Sequence, residues 1–121
     1  MNYTGIDIIE IGRIEEAVAR WGERFLHRVY TDSELSLCGK KPPSLAARFA
    51  GKEAVMKLLG TGTTGVGWRE IEVLANQAGK PLLNLYGRAK TEAAMLGLTD
   101  IAISLSHSRA YAIAAAVSSS P

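Results

Sequence analysis

The sequence has little cysteine, little excess charge and no long apolar run, and each shortage argues against a class of protein. Cys38 is the only cysteine among 121 residues, so the chain can form neither an internal disulfide nor a cysteine-built zinc site. The net charge of +2 argues against a dedicated nucleic-acid-binding protein. The apolar run 110–117 is far shorter than the roughly 20 residues that span a bilayer, and no basic region followed by an apolar stretch marks the N-terminus. We therefore expect a protein of the reducing cytoplasm that binds neither nucleic acid nor membrane.

The composition is that of an ordinary globular domain. Hydrophobic residues make up 47% of the chain and charged residues 21%, which predicts a single domain over residues 1–121. A domain of this length has one core and little room for a deep pocket of its own. Burial between subunits would add to that core, so we expect an oligomer.

The first third of the sequence changes from strand to helical periodicity. Residues 5–11 are rich in β-branched side chains and predict a strand in which Asp7 faces the same side as Ile9. Residues 13–29 have helical spacing, with Gly22 expected to break or bend the helix. The capping-box pattern at 31–34 predicts a short helix that extends to Leu37.

The rest of the chain predicts one long helix and two strand pairs. Ser44 is expected to cap a helix that ends at Leu59 and stops at Gly60. After it we expect a glycine loop at 60–67 and a strand pair at 68–75 and 81–86. A modest helix at 88–96 and a second strand pair at 101–106 and 110–117 complete the chain. Because strands and helices segregate, the fold class is α+β, with an antiparallel sheet packed against one long helix and shorter helices.

Charged residues lie within the apolar stripe of the long helix. At about 100° per residue, Lys52 projects between Leu45 and Leu59, and Glu53 projects between Phe49 and Ala46. A lysine at the edge of such a stripe commonly extends to water. Glu53 and Lys57, four residues apart, could likewise form an ordinary surface ion pair.

A functional interpretation rests on the combination of these residues. Arg48, Lys52, Glu53 and Lys57 lie close together on one helix, and Asp7 interrupts an apolar strand. Two carboxylates beside several cations suit a magnesium ion that bridges to phosphates, because Mg²⁺ prefers oxygen ligands and the cations neutralise the remaining phosphate charge.

The segment Ser106-His107-Ser108 could suggest a serine nucleophile. Neighbouring strand residues point to opposite faces, and no third group of a triad is identifiable. We favour a histidine that forms a hydrogen bond or contacts phosphate over a triad base.

Four arginines recur at spacings of seven, four and four along the first helical segment. They are predicted to share one side, opposite Ile14, Val18, Trp21 and Phe25; the four are Arg13, Arg20, Arg24 and Arg28. Such a stripe is either a solvated face or a surface for an acidic partner protein or phosphates.

Taken together, the motifs resemble a known family, the holo-acyl-carrier-protein synthases, which are small 4′-phosphopantetheinyl transferases. The matching segments follow the family's order over nearly the whole chain: residues 5–11 with 13–15, 25–31 with 34–35, 48–54 through Lys57, 60–62, 79–81, and 104–108 before 111–112. The Asp7 segment together with the Lys52-Glu53 segment is quite specific to this family. Gly51 stands where the family commonly has alanine.

The resemblance implies transfer of 4′-phosphopantetheine from coenzyme A to a serine of apo acyl carrier protein, with release of adenosine 3′,5′-bisphosphate. It implies the transferase family's fold, Mg²⁺ ligands at Asp7 and Glu53, and a phosphate contact at Lys57. Glu53 or a water held by the metal could accept the serine proton. The coenzyme A site would contain Arg48, Lys52, Lys80, Pro81, His107 and Ser108, and the acidic carrier would contact Arg13, Arg24 and Arg28. Family members of this length are typically homotrimers with active sites between subunits.

Two other functions remain open at the level of sequence. A different magnesium-dependent enzyme acting on nucleotide phosphates would also use Asp7, Glu53 and Lys57, but it would not need the arginine stripe. A noncatalytic module binding an acidic protein or RNA through Arg13, Arg20, Arg24 and Arg28 would not need the paired carboxylates.

Overall fold

Five strands and six α-helices make up the chain, for which a computed structural model describes all residues 1–121. The elements are β1 (Asn2–Glu10), α1 (Ile11–Trp21), α2 (Glu23–Val29), α3 (Asp32–Cys38), α4 (Pro42–Leu59), α5 (Gly62–Gly65), a 3₁₀ turn (Trp68–Glu70), β2 (Ile71–Ala75), β3 (Pro81–Leu85), α6 (Gly87–Met95), β4 (Ile101–His107) and β5 (Tyr111–Ser119). None of the helices has the length and hydropathy needed to cross a membrane.

The strands form two antiparallel sheets. The order β1-β5-β4 defines the larger sheet, and β2-β3 is a separate hairpin. In the larger sheet Asp7 pairs with Ala114 and Ile8 with Ile113. The α+β class and the antiparallel pairing are confirmed, and the strands are divided between two sheets.

Local signals located most helix boundaries correctly. Gly22 separates α1 from α2 with φ 56° and ψ −132°, and Thr31 and Glu34 form the expected capping box at the start of α3. The prediction that Ser44 caps the long helix is wrong, because α4 begins at Pro42, with Lys41 at the N-cap. Proline suits the first helical position, since the N–H that it lacks would have no intrahelical acceptor there.

The segment between α4 and β2 is more helical than expected. The glycine segment 60–67, predicted to be a loop, contains the short helix α5, and residues 68–70 form a 3₁₀ turn rather than the start of a strand. The segment holds four glycines, but within the short helix only Gly62 has a positive φ, so a helical turn can form.

Helix α4 is the centre of the core and contacts both sheets. Its inner face packs against β1 and β5, and the Phe49 ring stacks on the Trp68 ring at a centroid distance of 4.7 Å. At Gly5, β1 contacts α4 main chain to main chain, since a Cβ on Gly5 would collide with the carbonyl oxygen of Ala54. A Cβ on Gly51 would lie 3.2 Å from Ile103 Cδ1, so this helix also passes close to β4.

Candidate active site

Asp7 and Lys57 form the first pair of the site. Gly5, Asp7 and Ile9 face inward on β1, as expected from strand alternation, while Ile6 and Ile8 are each 60% exposed. The Asp7 side chain is only 11% exposed, and its Oδ1 accepts a hydrogen bond from Lys57 Nζ at 3.1 Å. Lys57 also donates to the Ile6 carbonyl at 2.9 Å, so the end of α4 is tied to the middle of β1.

Glu53 lies one helical turn before Lys57 and is partly buried. Burial raises the pKa of Glu53, the nearby Asp7 carboxylate raises it further, and Lys57 opposes the shift. The proposed Glu53–Lys57 surface ion pair is not formed, because Lys57 pairs with Asp7 instead. Asp7 and Glu53 therefore repel each other, which favours a cation between them.

Asp7 and Glu53 line a common cavity of about 400 Å³, together with Arg13 and apolar side chains. No group of three or more acidic, histidine or cysteine side chains occurs that could hold a metal by itself. Mg²⁺ commonly takes one or two carboxylates and completes its shell with water and substrate phosphate oxygens. This pair of carboxylates fits that ion in type and number.

The arginines do not form one continuous face. Arg24 and Arg28 line a groove of about 460 Å³ with Trp21 and Phe25, which the sequence had placed on the opposite side of the helix. Arg20 lies over the Trp21 ring at 5.1 Å, and Arg13 lines the carboxylate cavity. The break at Gly22 changes the direction of the chain, so helical spacing does not carry over from α1 to α2.

Lys52 requires a correction. Its side chain is fully buried and its ammonium donates to Glu34, to the Trp68 carbonyl and to the Ile71 carbonyl. The lysine neither extends to water nor has a donor left for coenzyme A, because an ammonium has three N–H bonds. In the sequence Glu34 is marked by the capping box and by a family motif, but neither signal indicates its partner Lys52, 18 residues away.

Arg48 has an unused donor. Its Nε is buried and has no hydrogen-bond partner, although the residue as a whole is only partly buried. Burial raises the pKa of Cys38, and the neighbouring Arg48 charge opposes that shift. The partly exposed guanidinium group of Arg48 is suited to bind an anion.

The remaining expected coenzyme residues lie on two turns. Lys80 is exposed at the β2–β3 turn, where its main-chain N–H donates to Asn76 Oδ1, and Pro81 begins β3. His107 is exposed at the end of β4, and Ser108 Oγ accepts from the Tyr111 N–H across the β4–β5 turn. The cavity that contains Asp7 and Glu53 includes none of these four residues.

Paired carboxylates surrounded by basic side chains are typical of enzymes that act on phosphate esters. The family model of the 4′-phosphopantetheinyl transferase superfamily matches residues 3–116. The chain belongs to this superfamily.

Relatives of similar length share both sequence and fold. The holo-[acyl-carrier-protein] synthase of Dehalococcoides mccartyi strain CBDB1 is 56% identical over 117 residues, covering 97% of this chain and 98% of the relative. The crystal structure of the Helicobacter pylori holo-[acyl-carrier-protein] synthase in complex with coenzyme A is 35% identical and superposes with a TM-score of 0.87, covering 96% of this chain and 99% of that chain. The synthase from Neisseria meningitidis is 29% identical, with a TM-score of 0.88 and 97% of each chain covered. The expected transferase fold is confirmed.

Proposed function

We propose that this protein transfers the 4′-phosphopantetheine group of coenzyme A to a serine hydroxyl of an apo acyl carrier protein and releases adenosine 3′,5′-bisphosphate. The observation that carries the proposal is the cavity containing Asp7 and Glu53, with Lys57 on Asp7, in a chain 56% identical to a holo-[acyl-carrier-protein] synthase. The related synthase solved with coenzyme A supports the choice of donor. The single cysteine of this chain, Cys38, is free, which suits a reaction in the cytoplasm.

In the proposed reaction the serine oxygen attacks the phosphorus that carries pantetheine, and the bond from that phosphorus to the bridging oxygen breaks. The bridging oxygen leaves with the nucleotide and takes the electron pair of that bond. Such a step depends on positioning and charge neutralisation more than on a strong base. Lys57 is placed to balance negative charge on the phosphoryl group, and Arg13 adds positive charge to the same cavity.

Asp7 and Glu53 would hold Mg²⁺, which supplies charge neutralisation to the pyrophosphate when bound. Glu53 is also a candidate acceptor for the serine proton. The serine proton passes either to this carboxylate or to a water beside it.

The coenzyme would be held by Arg48, Lys80, Pro81, His107 and Ser108, with Lys52 excluded by its burial. The partly exposed Arg48 guanidinium and the exposed Lys80 ammonium suit its phosphates. The cavity of Asp7 and Glu53 contains none of the five, which favours a site completed by a neighbouring subunit.

A homotrimer is therefore part of the proposal. The outer face of the larger sheet exposes Ile6 and Ile8 on β1 and Tyr111 and Ile113 on β5, at 36–60% exposure. Ile8 and Ile113 are cross-strand partners, so the apolar side chains are adjacent. Burial of this face between subunits would remove apolar area from water.

The acidic carrier protein would contact Arg13, Arg24 and Arg28. Arg24 and Arg28 border a groove that also exposes Trp21 and Phe25, which combines positive charge with aromatic surface. That groove and the carboxylate cavity both include Phe25, so a bound carrier would lie next to the reacting groups.

The test is direct conversion of a carrier protein. Apo acyl carrier protein, coenzyme A and Mg²⁺ are incubated with the protein, and the carrier is weighed by mass spectrometry. We expect its mass to increase by one phosphopantetheine group, with no increase for a carrier whose acceptor serine is alanine. Release of nucleotide without any change in the mass of the carrier would instead indicate a hydrolase and overturn the proposal.

A further inference from the structure

Lys52 and Glu34 form an ion pair in the interior of the protein. Both side chains are 0% exposed, and Lys52 Nζ lies 2.7 Å from Glu34 Oε1. Burial lowers the pKa of Lys52, and the neighbouring Glu34 carboxylate opposes that shift. The proposed transfer reaction uses neither residue.

The pair joins four elements through five hydrogen bonds. Lys52, on α4, donates to Glu34 on α3, to the Trp68 carbonyl at 3.1 Å and to the Ile71 carbonyl at 2.5 Å. Glu34 accepts from the N–H of Thr31 at 2.9 Å and from the N–H of Val73 at 2.8 Å. These bonds attach the middle of α4 to α3, to the 3₁₀ turn and to the start of β2.

Stability alone is a weak reason for such a pair. Removing two charges from water carries a large desolvation cost. Apolar residues of similar volume can often replace a buried ion pair without loss of stability. The pair does, however, fix directions that an apolar contact leaves free, because hydrogen bonds require defined donor and acceptor positions.

The direction that it fixes is the rotation of α4. Successive side chains on a helix are about 100° apart, so a Lys52 held against α3 and β2 sets the direction of Glu53. Lys57 lies four residues after Glu53 and therefore shares its face of the helix. The stacked rings of Phe49 and Trp68 hold the preceding turn of α4 to the same 3₁₀ turn.

We propose that Lys52 is a positioning residue, which through Glu34 and the Trp68 and Ile71 carbonyls sets the rotation of α4 that directs Glu53 and Lys57 towards Asp7, and which does not contact coenzyme A. This inference rests on the proposed transferase function. It explains why a fully buried lysine directly precedes the partly exposed Glu53.

The main test compares a single and a double variant. Lys52→Met leaves Glu34 buried without its cation and is expected to lose much of the stability of the fold. Lys52→Met with Glu34→Gln is neutral and similar in volume, and its amide can still accept from Val73 and donate to a carbonyl. We expect this double variant to unfold cooperatively within about 5 °C of the wild-type Tm.

For the double variant we expect kcat to fall at least about tenfold while KM for coenzyme A stays within about twofold. A stable double variant with wild-type kcat would overturn the positioning role. A rise in KM for coenzyme A that matches the fall in kcat/KM would also overturn it, because Lys52 would then contact the coenzyme.

A second measurement needs no variant. Lysines of the wild-type protein are labelled by reductive methylation, with and without coenzyme A, and located by mass spectrometry. We expect Lys57 and Lys80 to react in the free protein and Lys52 to remain unlabelled in both states. Labelling of Lys52 that coenzyme A suppresses would refute the inference, even if the double variant failed to fold. If the wild-type protein modifies no carrier, the proposed function fails, whereas the labelling still tests the burial of Lys52.

Discussion

Lys57 Nζ lies 3.1 Å from Asp7 Oδ1 and also donates to the Ile6 carbonyl, so a cation of the chain itself occupies one side of the carboxylate proposed to hold Mg²⁺. A positive charge so close to a metal ligand opposes the binding of a second cation. The same ammonium, once released from Asp7, could reach a substrate phosphate. We therefore expect Lys57 to oppose binding of the proposed Mg²⁺ and to favour the proposed transfer reaction.

Removal of the Lys57 charge should separate these two effects. For Lys57→Met we expect Mg²⁺ to bind roughly tenfold more tightly in the absence of coenzyme A, which corresponds to about 1.4 kcal/mol, while kcat falls. Calorimetric titration with Mg²⁺ measures the affinity, and Lys57→Arg is the control that retains the charge. Unchanged Mg²⁺ affinity in Lys57→Met would contradict this competition.

The two carboxylates should be essential for turnover but not for folding. Asp7→Ala, Glu53→Ala and the closer substitutions Asp7→Asn and Glu53→Gln are expected to abolish transfer, because each removes an oxygen ligand of the proposed metal site. Circular dichroism and Tm should stay close to wild type, as should those of the control Glu16→Gln on the exposed surface of α1. Full transfer by any of these Asp7 or Glu53 variants, or in excess chelator, would rule out the metal assignment.

Charge reversal in the arginine groove should affect the carrier and not the coenzyme. Arg24→Glu is expected to raise KM for the acyl carrier protein about tenfold and to leave KM for coenzyme A nearly unchanged, because Arg24 borders the groove and not the carboxylate cavity. The wild-type KM for the carrier should also rise with salt.

Arg13→Glu provides the comparison, since Arg13 lines the carboxylate cavity and should affect both substrates. Wild-type carrier kinetics in Arg24→Glu at low salt would make the groove an ordinary solvated surface.

The exposed apolar face of the larger sheet gives a test of assembly. We expect the wild-type protein to sediment as a trimer and Ile8→Glu to sediment as a monomer without activity, since a charge beside Ile113 cannot be buried without a partner. The control Met95→Glu introduces the same charge at an exposed position of α6, outside the larger sheet. A fully active wild-type monomer would contradict the proposed trimer.

Glu72 should contribute to stability in a pH-dependent manner. Burial acts to raise the pKa of Glu72, but hydrogen bonds from Thr31, Asn84 and Tyr86 outweigh it, and the pKa falls below its ordinary value of 4.5. The folded state therefore binds fewer protons than the unfolded state, so the contribution is present above pH 4.5 and is lost as the pH falls below it.

For Glu72→Gln we expect a loss of about 1 to 2 kcal/mol at neutral pH and a smaller difference from wild type below pH 4.5. Urea unfolding across the pH range measures both quantities. A difference that stays constant with pH would show that the Glu72 charge is not involved.

The parts of the fold that sequence predicted correctly depend on neighbouring residues. Gly22 breaks a helix and Thr31 with Glu34 begins one, because backbone freedom and capping bonds act within a few positions. The inward orientation of Asp7 followed from strand alternation.

The errors depend on contacts between distant segments. Lys52 is buried because Glu34 and two carbonyls meet it from other elements, and no local pattern reports those partners. Glu72 likewise has no local sequence signal, since its hydrogen-bond donors lie 12 to 41 residues away. The prediction that the four arginines share one face was wrong because the chain changes direction at Gly22. The helical angles of α1 therefore do not continue into α2.

The contact at Gly5 determines which parts of the interior can vary without altering the chemistry. A methyl group there would meet the Ala54 carbonyl and lie 2.8 Å from the Leu58 amide, so strand and helix are separated by the thickness of two backbones. Asp7 lies two residues further along β1, on the same face. The contact at Gly5 therefore sets how far Asp7 lies from the helix that carries Glu53 and Lys57. Apolar side chains elsewhere in the core can therefore be exchanged without changing the span across the cavity that contains Asp7 and Glu53.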